Sequence, residues 1–332
     1  MPEVTKKPLV ALMPDSTLKI ELPLVSIVTP FYNEEDGIEA YFTAIMDVIN
    51  SITSVQFEII CIDDGSKDGT LQLLQEISSN NPCIRVIELS RNFGKEAALS
   101  AGLDYSRGDA VIPMDADLQD PPILIKALIA KWQEGFDVVL AKRANRQVDT
   151  FLKRKTALWF YRLHNAVSNI NIPENVGDFR LMNRAVVETL KELPEQNRFM
   201  KGLFAWVGYK TTEIEYVRET RAAGETKFSG WKLWNLAIEG ITSFSTIPLR
   251  LWTYVGILIS FFSFSFVAFV LIRTMLGYGI TPGYASLISA ILFIGGLQLI
   301  SIGVLGEYIG RIYMESKRRP TYIVRRIIEN KN

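Results

Sequence analysis

The stretch Val25-Ser26-Ile27-Val28-Thr29-Pro30-Phe31-Tyr32-Asn33-Glu34-Glu35 decides the fold class. Residues 25–30 are rich in β-branched side chains and have the composition of a buried strand. A polar loop follows, and residues 35–52 have the length and apolar periodicity of a helix. A strand that leads through a short loop into a helix is the unit from which parallel sheets with crossover helices are built.

The same unit recurs along the first half of the chain. Further strands are predicted at residues 57–62, 84–89, 110–114 and 136–141, with helices at 68–79, 95–105 and 122–132 between them. The pattern predicts an α/β fold with a mainly parallel sheet, which binds its ligands where the strands end at their carboxyl edge. The sequence contains neither a Walker A motif nor a GxGxxG fingerprint, which argues against a nucleotidase or a dehydrogenase.

Acidic residues follow two of the predicted strands. Asp63-Asp64-Gly65-Ser66 has the composition of a tight turn as well as of a ligand site, and the sequence leaves both interpretations open. Asp115-Ala116-Asp117-Leu118-Gln119 places alternating carboxylates and a side-chain carbonyl at a strand end. Hard oxygen ligands of this kind suit Mg²⁺ or Mn²⁺, and the alternative is a solvated acidic turn before the next helix.

The C-terminal third is strongly apolar. Leu251 to Ile272 gives 22 residues without a charge, and Thr274 to Gly306 gives 33 more. About 20 apolar helical residues cross a bilayer core, so both runs are long enough. Glycines and Pro282 lie between them, which predicts a transmembrane hairpin of about 251–273 and 285–308; the alternative is a buried helix pair of a soluble protein.

The charge distribution gives an orientation for this hairpin. Residues 251–332 carry eight Lys+Arg against three Asp+Glu, which leaves a balance of −5 for residues 1–250 although the whole chain is neutral. Basic residues follow the second apolar run, whereas the turn has none. The positive-inside tendency therefore predicts an inner-membrane protein with its large N-terminal part and both termini in the cytoplasm. The basic tail, residues 310–332, is expected to lie against anionic headgroups.

The remaining segments complete the predicted organisation. Residues 1–23 form an extension that lacks the continuous apolar core of a secretory signal and is expected to be flexible. Residues 24–229 are predicted to form the α/β domain. Residues 230–249, with Trp231 and Trp234, are predicted to form an amphipathic helix at the membrane interface. The neutral net charge argues against a nucleic-acid partner.

The stretch from Val25 to about Lys227 resembles the family 2 glycosyltransferases of the GT-A fold. With the hairpin included, it is most similar to the polyisoprenyl-phosphate glycosyltransferases, relatives of dolichol-phosphate mannose synthase, and in particular to the bacterial bactoprenol glucosyltransferases. The motifs that carry the resemblance are Tyr32-Asn33-Glu34-Glu35, Asp63-Asp64-Gly65-Ser66, Arg91-Asn92-Phe93-Gly94-Lys95, Asp115 to Pro122, and Gly224-Glu225-Thr226-Lys227.

The resemblance implies roles for individual residues. The residues expected to contact the nucleotide are Pro30, Tyr32, Glu34 and Asp64. Those expected to bind the cation and the donor diphosphate are Asp115, Asp117 and Gln119. Other substrate contacts are expected from Lys95, Arg143, Arg154 and Lys227. Arg221 corresponds to a basic residue that holds phosphate, and Asp178 to the position that faces the reacting sugar. Asp117, Asp178 and Arg221 are therefore the expected catalytic set.

The reaction implied by the resemblance is the transfer of one sugar, with inversion, from a nucleotide sugar to a polyisoprenyl phosphate. The expected donor is UDP-glucose and the expected acceptor is undecaprenyl phosphate. Two other functions stay open: a processive polysaccharide synthase, of whose QxxRW element Gln196-Asn197-Arg198-Phe199-Met200 is a poor match, and a non-catalytic nucleotide-sugar-binding membrane protein. Gly295, Gly296, Gly303 and Gly306 suit either homo-oligomerisation or close packing within the hairpin.

Overall fold

The computed structural model describes residues 22–144, 176–193, 195, 198, 200–216, 247–276 and 283–330. The strands of the described chain join in one eight-stranded sheet in the order β7-β5-β6-β4-β1-β2-β3-β8. Their bounds are β1 Leu24–Phe31, β2 Gln56–Asp63, β3 Ile84–Leu89, β4 Ala110–Pro113, β5 Val138–Arg143, β6 Val176–Asn183, β7 Thr211–Tyr216 and β8 Val324–Glu329.

The helices of the described chain connect or flank these strands. They are α1 Ile38–Asn50, α2 Thr70–Asn80, α3 Lys95–Tyr105, α4 Leu124–Gln133, α5 Arg184–Glu192, α6 Met200–Trp206, α7 Ile247–Met275 and α8 Tyr284–Ser316. A 3₁₀ turn, Glu35–Gly37, precedes α1. The α/β class is therefore confirmed, and all five strands expected from the sequence are present.

The centre of the sheet is parallel, as the sequence predicts. Strand β1 pairs in parallel with β2 and β4, β2 with β3, and β5 with β7. Three pairings are antiparallel: β6 with both β4 and β5, and β8 with β3. Because the chain winds from β1 outward to β3 and then returns to the other side of β1 as β4, the loops after β1 and β4 diverge from a common crevice.

Both faces of the sheet are covered by helices. Successive strand residues point to opposite faces, so Ile59 and Cys61 belong to the core cluster that includes α1, α2 and α4, whereas Ile60 and Ile62 belong to the cluster that includes α3, α5 and α6. All four side chains are fully buried. A strand covered on both faces reads as a continuous apolar run, which explains why the central strands could be recognised from composition.

Helices α7 and α8 form the hairpin, and both exceed their predicted lengths. They contact each other, yet α8 keeps large apolar side chains such as Phe293, Leu299 and Ile302 about two-thirds exposed. Phe293–Ser316 is the one segment of the described chain found long and apolar enough to cross a membrane. A Cβ built at any of the four α8 glycines noted above meets no atom of the described chain within 4 Å, so they do not serve close packing against the described part of α7.

The segment after α8 is not wholly a free tail. Residues 324–329 form β8 at the edge of the sheet, beside β3, and contact of the basic residues with headgroups stays a prediction. Arg325 and Arg326 both contact the buried carboxylate of Glu88, and Ser90 donates its backbone N–H to the carbonyl of Ile323. The two strands next to the hairpin in sequence, β7 and β8, therefore occupy opposite edges of the sheet.

Candidate active site

Lys95 lies at the centre of the candidate site. Its ammonium is 2.7 and 2.9 Å from the two carboxylate oxygens of Asp115 and 2.8 Å from Oδ2 of Asp178. The three residues come from the start of α3, the loop after β4 and the strand β6, and they meet because β4 and β6 are neighbours. Three side chains that the sequence assigned to the site are thus within hydrogen-bonding distance of one another.

The charged groups of this cluster shift one another's pKa values. Burial acts to raise the pKa of Asp178, but Lys95 and then Lys201 outweigh it and hold that pKa at about 2. Desolvation acts to lower the pKa of Lys95, and the carboxylates of Asp178 and Asp115 outweigh it and raise the pKa. The pKa of Asp115 is raised by burial, which the charge of Lys95 opposes. Lys95 and Asp178 are consequently an ion pair at neutral pH.

Asp64 holds the loop that presents Lys95. Its two oxygens accept the backbone N–H groups of Phe93 at 2.7 Å and Gly94 at 2.9 Å. Gly94 has φ +99°, a left-handed conformation that costs glycine little. A Cβ at Gly65 would lie 2.6 Å from the backbone of Arg91 and Asn92, so glycine lets the two loops approach. The predicted nucleotide contact of Asp64 is untested, whereas its contact with this loop is observed.

The end of β1 and the loop after it carry three of the predicted nucleotide-binding residues. This loop is tied to the loop after β2, since Ser66 Oγ accepts from the backbone N–H of Asn33 at 3.1 Å and Thr70 Oγ1 from that of Glu34 at 2.9 Å. Tyr32 remains 39% exposed, so its ring is available to a ligand. Pro30 is half-buried beside it at the end of β1. Pro30, Tyr32 and Glu34 therefore border the crevice between β1 and β4.

Asp117 and Gln119 lie in the loop after β4. Asp117 accepts the backbone N–H of Gln119 at 3.2 Å, and Leu118 between them has φ +54°, an uncommon conformation for a branched residue. Gln119 is 5% exposed, and its buried Oε1 has no hydrogen-bond partner in the described chain. Buried polar atoms are normally paired, so this oxygen suits a ligand that donates a hydrogen bond or carries positive charge.

These residues fit a cation that shares its coordination with substrate. No group of three His, Cys, Asp or Glu side chains within the described ranges could hold a metal ion on its own. Mg²⁺ and Mn²⁺ are commonly held by one or two carboxylates together with substrate phosphates and water. Asp115 and Asp117 with the unpaired oxygen of Gln119 are a donor set of that kind.

Arg143 ends β5 and is held beside the same loop. Its Nε donates to the hydroxyl of Tyr216 at 3.2 Å, and its Nη2 lies 3.7 Å from Asp120. The hydroxyl of Tyr216 also contacts Asp120, and burial, then the charge of Asp120, raises the pKa of Tyr216 to about 12. Arg143 is therefore anchored next to the acidic loop. Arg154, Arg221 and Lys227, like the predicted interfacial helix up to residue 246, lie outside the described residues.

Two charged residues near Asp178 were missed from the sequence. Glu96 follows Lys95 directly, and the charge of Asp178 acts on its pKa. Lys201 lies on α6, and its charge lowers the pKa of Asp178. Burial, then the negative charge of Asp178, raises the pKa of Glu96 to about 7. The position of Glu96 beside Lys95 was visible, but its proximity to residues 178 and 201 depends on tertiary packing.

Sequence comparison identifies the family of this site. Residues 26–191 match the family described as "Glycosyl transferase family 2", and residues 247–312 match the family "GtrB C-terminal hairpin". The chain belongs to glycosyltransferase family 2. The acidic motif after β4 and the cluster around Lys95 both lie within the first match, so the candidate active site is that of a family 2 glycosyltransferase.

Named relatives cover nearly the whole chain. The "Bactoprenol glucosyl transferase" of Shigella phage SfV is 54% identical over 91% of this chain and 98% of its own length. The "Prophage bactoprenol glucosyl transferase homolog" of Escherichia coli K12 is also 54% identical, over 91% of this chain and 99% of its own. The resemblance noted in the sequence is confirmed by these matches.

A solved structure of lower similarity was also found. It is the glucosyl-3-phosphoglycerate synthase of Mycobacterium tuberculosis in complex with Mn²⁺, UDP and phosphoglyceric acid. It is 22% identical, covers 66% of this chain and 76% of its own, and has a TM-score of 0.43.

Proposed function

We propose that this chain transfers a single glucose from UDP-glucose to a polyisoprenyl phosphate, with inversion, at the cytoplasmic face of a membrane. The relatives at 54% identity, which align over almost their whole length and are named for bactoprenol glucosyl transfer, support the substrate class. The observation in the molecule that carries the proposal is the bridge that Lys95 makes between Asp115 and Asp178 beside the acidic loop. That bridge brings the carboxylates of Asp115 and Asp178 together, which supports a site that holds a cation beside the reacting sugar.

The proposed step needs no proton transfer. A phosphate oxygen of the lipid forms a bond to the anomeric carbon while the bond from that carbon to the diphosphate oxygen breaks, and the electron pair leaves with UDP. A phosphomonoester has a second pKa near 6, so the acceptor is largely dianionic at neutral pH and already nucleophilic. The site must therefore bring two anions together and stabilise the leaving group, rather than activate a hydroxyl.

Asp178 suits an orienting role better than that of a general base. An efficient base has a pKa near the working pH, and the pKa of Asp178 is about 2. Lys95 keeps this carboxylate ionised and fixed at 2.8 Å, in a position to accept hydrogen bonds from sugar hydroxyls. Its negative charge would repel the incoming phosphate, and Lys95 and Lys201 offset that repulsion.

A divalent cation completes the leaving-group side of this proposal. Asp115, Asp117 and Gln119 would hold it, and when bound it would stabilise the charge that develops on the diphosphate. Lys95 contacts Asp115 through both carboxylate oxygens, so a bound cation would have to share that residue with the ammonium. Pro30, Tyr32 and Glu34, on the other side of the crevice, are proposed to contact the nucleoside, and Arg143 the diphosphate.

The hairpin is proposed to span the membrane twice. Residues 293–316 would extend about 36 Å at 1.5 Å per residue, which exceeds a hydrocarbon core of about 30 Å. Strand β7 precedes α7, β8 follows α8, and both strands belong to one sheet. That connection supports an even number of crossings, with both ends of the hairpin on the same side of the membrane.

Basic residues outside the described ranges are proposed to receive the lipid phosphate. Arg154, Arg221 and Lys227 match positions that hold phosphates in the family, and charge-assisted hydrogen bonds would offset the repulsion between donor and acceptor. Arg221 and Lys227 precede α7 closely in the sequence, as residues at the membrane surface would. Homo-oligomerisation through the glycines of α8 also stays a prediction.

The test is a transfer assay with purified full-length protein in detergent. Undecaprenyl phosphate, Mg²⁺ or Mn²⁺, and a panel of UDP- and GDP-sugars are supplied, and sugar is followed in the organic extract. We expect transfer from UDP-glucose that EDTA abolishes, with one glucose per lipid by mass spectrometry. Longer products would favour a processive synthase, and binding of UDP-glucose without any transfer would favour a non-catalytic protein.

A further inference from the structure

Two buried oxygens near the bridge lack partners. Oε2 of Glu96 and Oδ1 of Asp178 are inaccessible to solvent and have no hydrogen bond within the described chain. A buried acceptor that stays unpaired costs about 1–3 kcal/mol and more when it is charged, so such atoms usually mark a place where a ligand or an ordered water donates. Both atoms belong to residues on the Lys95 side of the acidic loop.

Glu96 lies near the start of α3, beside Lys95. It is the second residue of that helix, and the backbone N–H of Met200, at the start of α6, acts to lower the pKa of its carboxyl group. The charges of Asp178, Lys95 and Lys201 also act on that pKa. Its Oε2 atom is buried and has no hydrogen-bond partner within the described chain.

Charge decides which ligand group suits these oxygens. Asp178 is ionised and Asp115 lies on the other side of Lys95, so a phosphate oxygen would meet like charges here. A neutral hydroxyl avoids that repulsion, and it can donate to a carboxylate or accept from a protonated one. Burial and the charge of Asp178 raise the pKa of Glu96 to about 7, so both forms of Glu96 are present near neutral pH.

We infer that Glu96 is a specificity-determining residue, which binds a hydroxyl group of the transferred sugar together with Asp178 and favours a neutral hexose over a sugar that carries a carboxylate. This inference rests on the proposed function, since it assumes a sugar nucleotide in the crevice. It adds to the family position Asp178 a second carboxylate that the sequence did not assign.

The test removes Glu96 and the sugar hydroxyls singly and together. Catalytic efficiency is measured for UDP-glucose and its 2-, 3-, 4- and 6-deoxy analogues, with wild type and with Glu96→Ala. One hydrogen bond to a charged group corresponds to a loss of about 10- to 100-fold, so one deoxy analogue should lose this much in wild type. In Glu96→Ala the same deletion should cost less than about threefold, because the partner is already gone.

A structural role of Glu96 gives a different result. If Glu96 only caps α6, Glu96→Ala lowers the efficiency of all five donors by one common factor, and that outcome overturns the inference. Glu96→Gln keeps an oxygen for the N–H of Met200 and is the second variant if Glu96→Ala does not fold. Glu134→Ala, which removes an exposed carboxylate paired with Lys131, is the control and should retain the wild-type pattern.

Binding separates this inference from the proposed function. Calorimetry with UDP and UDP-glucose gives the contribution of the sugar to affinity without any turnover, and Glu96→Ala should reduce that contribution while the affinity for UDP is unchanged. Absence of transfer to lipid in wild type with this pattern retained would refute the proposed function alone. If the sugar contributed equally to the affinity of wild type and variant, the role of Glu96 alone would be refuted.

A charged donor gives a second comparison. UDP-glucuronic acid should bind more weakly than UDP-glucose to wild type, and Glu96→Gln should reduce this difference in affinity.

Discussion

Replacing Asp64 by asparagine tests whether this residue acts through the loop that carries Lys95. The carboxylate is 3% exposed and accepts two backbone N–H groups, from Phe93 and Gly94, immediately before Lys95. Asp64→Asn preserves the shape of the side chain but replaces one acceptor with an NH₂ group that faces a backbone donor. One of the two N–H groups is then left without a partner in a buried position.

The magnitude follows from those two bonds. Hydrogen bonds to a charged group contribute about 1.5–3 kcal/mol each, and a neutral amide retains about 1 kcal/mol for the one bond that survives. Burial raises the pKa of Asp64, so part of this loss is regained because the variant buries no charge. We expect a net destabilisation of about 2–3 kcal/mol, or about 4–12 °C in the midpoint of thermal unfolding for a domain of this size.

The assay pairs unfolding with kinetics. The midpoint is measured by thermal unfolding in detergent, and transfer of glucose to lipid gives kcat and KM. Because a loosened loop withdraws Lys95 from Asp115 and Asp178, kcat should fall by at least about tenfold, the equivalent of one ordinary hydrogen bond. Asp47→Asn, a change on the exposed face of α1, is the matched control and should leave both quantities unchanged.

The resemblance implies a different role, in which Asp64 contacts the nucleotide. If that were its main role, Asp64→Asn would lose affinity for UDP and would change the unfolding temperature little. An unchanged midpoint combined with weaker UDP binding would therefore refute the reasoning from the loop. A lowered midpoint with unchanged UDP affinity would support it.

Three further predictions follow from other parts of the molecule. Asp117→Asn should abolish turnover, whereas Lys227→Ala should mainly raise the KM for the lipid; equal losses of donor affinity, measured by calorimetry, would contradict this division. Glu88→Gln should weaken the attachment of β8, because Glu88 is the buried partner of Arg325 and Arg326, and faster hydrogen exchange of residues 324–329 would show it. The pKa of Glu96 is about 7 in the folded protein against an ordinary 4.5. Ionising this carboxyl therefore lowers the free energy of unfolding, by nothing below pH 4.5 and by about 3 kcal/mol above about pH 7. Asp178, Lys95 and Lys201 face this carboxylate; Glu96→Gln should therefore raise the unfolding temperature at pH 8 and leave it nearly unchanged at pH 4.5, and equal midpoints at pH 8 would be contrary to expectation.

Much of the catalytic sheet could be predicted because its central strands are apolar on both faces. Helix α3 was predicted with both observed ends, Lys95 and Tyr105, since glycine precedes it and a Ser-Arg-Gly turn follows. The ends of β1 and β2 differed by one residue from those predicted. Antiparallel β6 and the edge strand β7 were not assigned, because neither follows the regular alternation of strand and helix.

The C-terminal strand could not be predicted from its charge pattern. The sequence Val324-Arg325-Arg326-Ile327-Ile328-Glu329 belongs to a basic segment and indicates contact with lipid headgroups. Its arginines also meet Glu88, which is 237 and 238 residues away in the chain. A buried acid at the edge of a sheet leaves no local signal at the residues that will neutralise it.

The sequence predicted which residues belong to the candidate site better than it predicted which of them contact one another. The motifs indicated that Lys95, Asp115 and Asp178 belong together, and the structure places them within hydrogen-bonding distance. The function of Asp64 as an acceptor for the adjacent loop could not be derived, since an Asp-Asp-Gly-Ser turn has the same composition whether it binds backbone or ligand. Glu96 was missed because its partners come from β6 and α6.

The position of β8 also bears on how the chain is made. Strand β3 is translated long before β8, and both hairpin helices are synthesised between them. The edge of β3 therefore stays open for backbone pairing until α7 and α8 have left the ribosome, and an open edge invites pairing with other chains. The sheet can therefore be completed only after both hairpin helices have been synthesised. A ribosome that stalls within α8 would release a catalytic domain with an unprotected edge, which quality-control proteases could recognise.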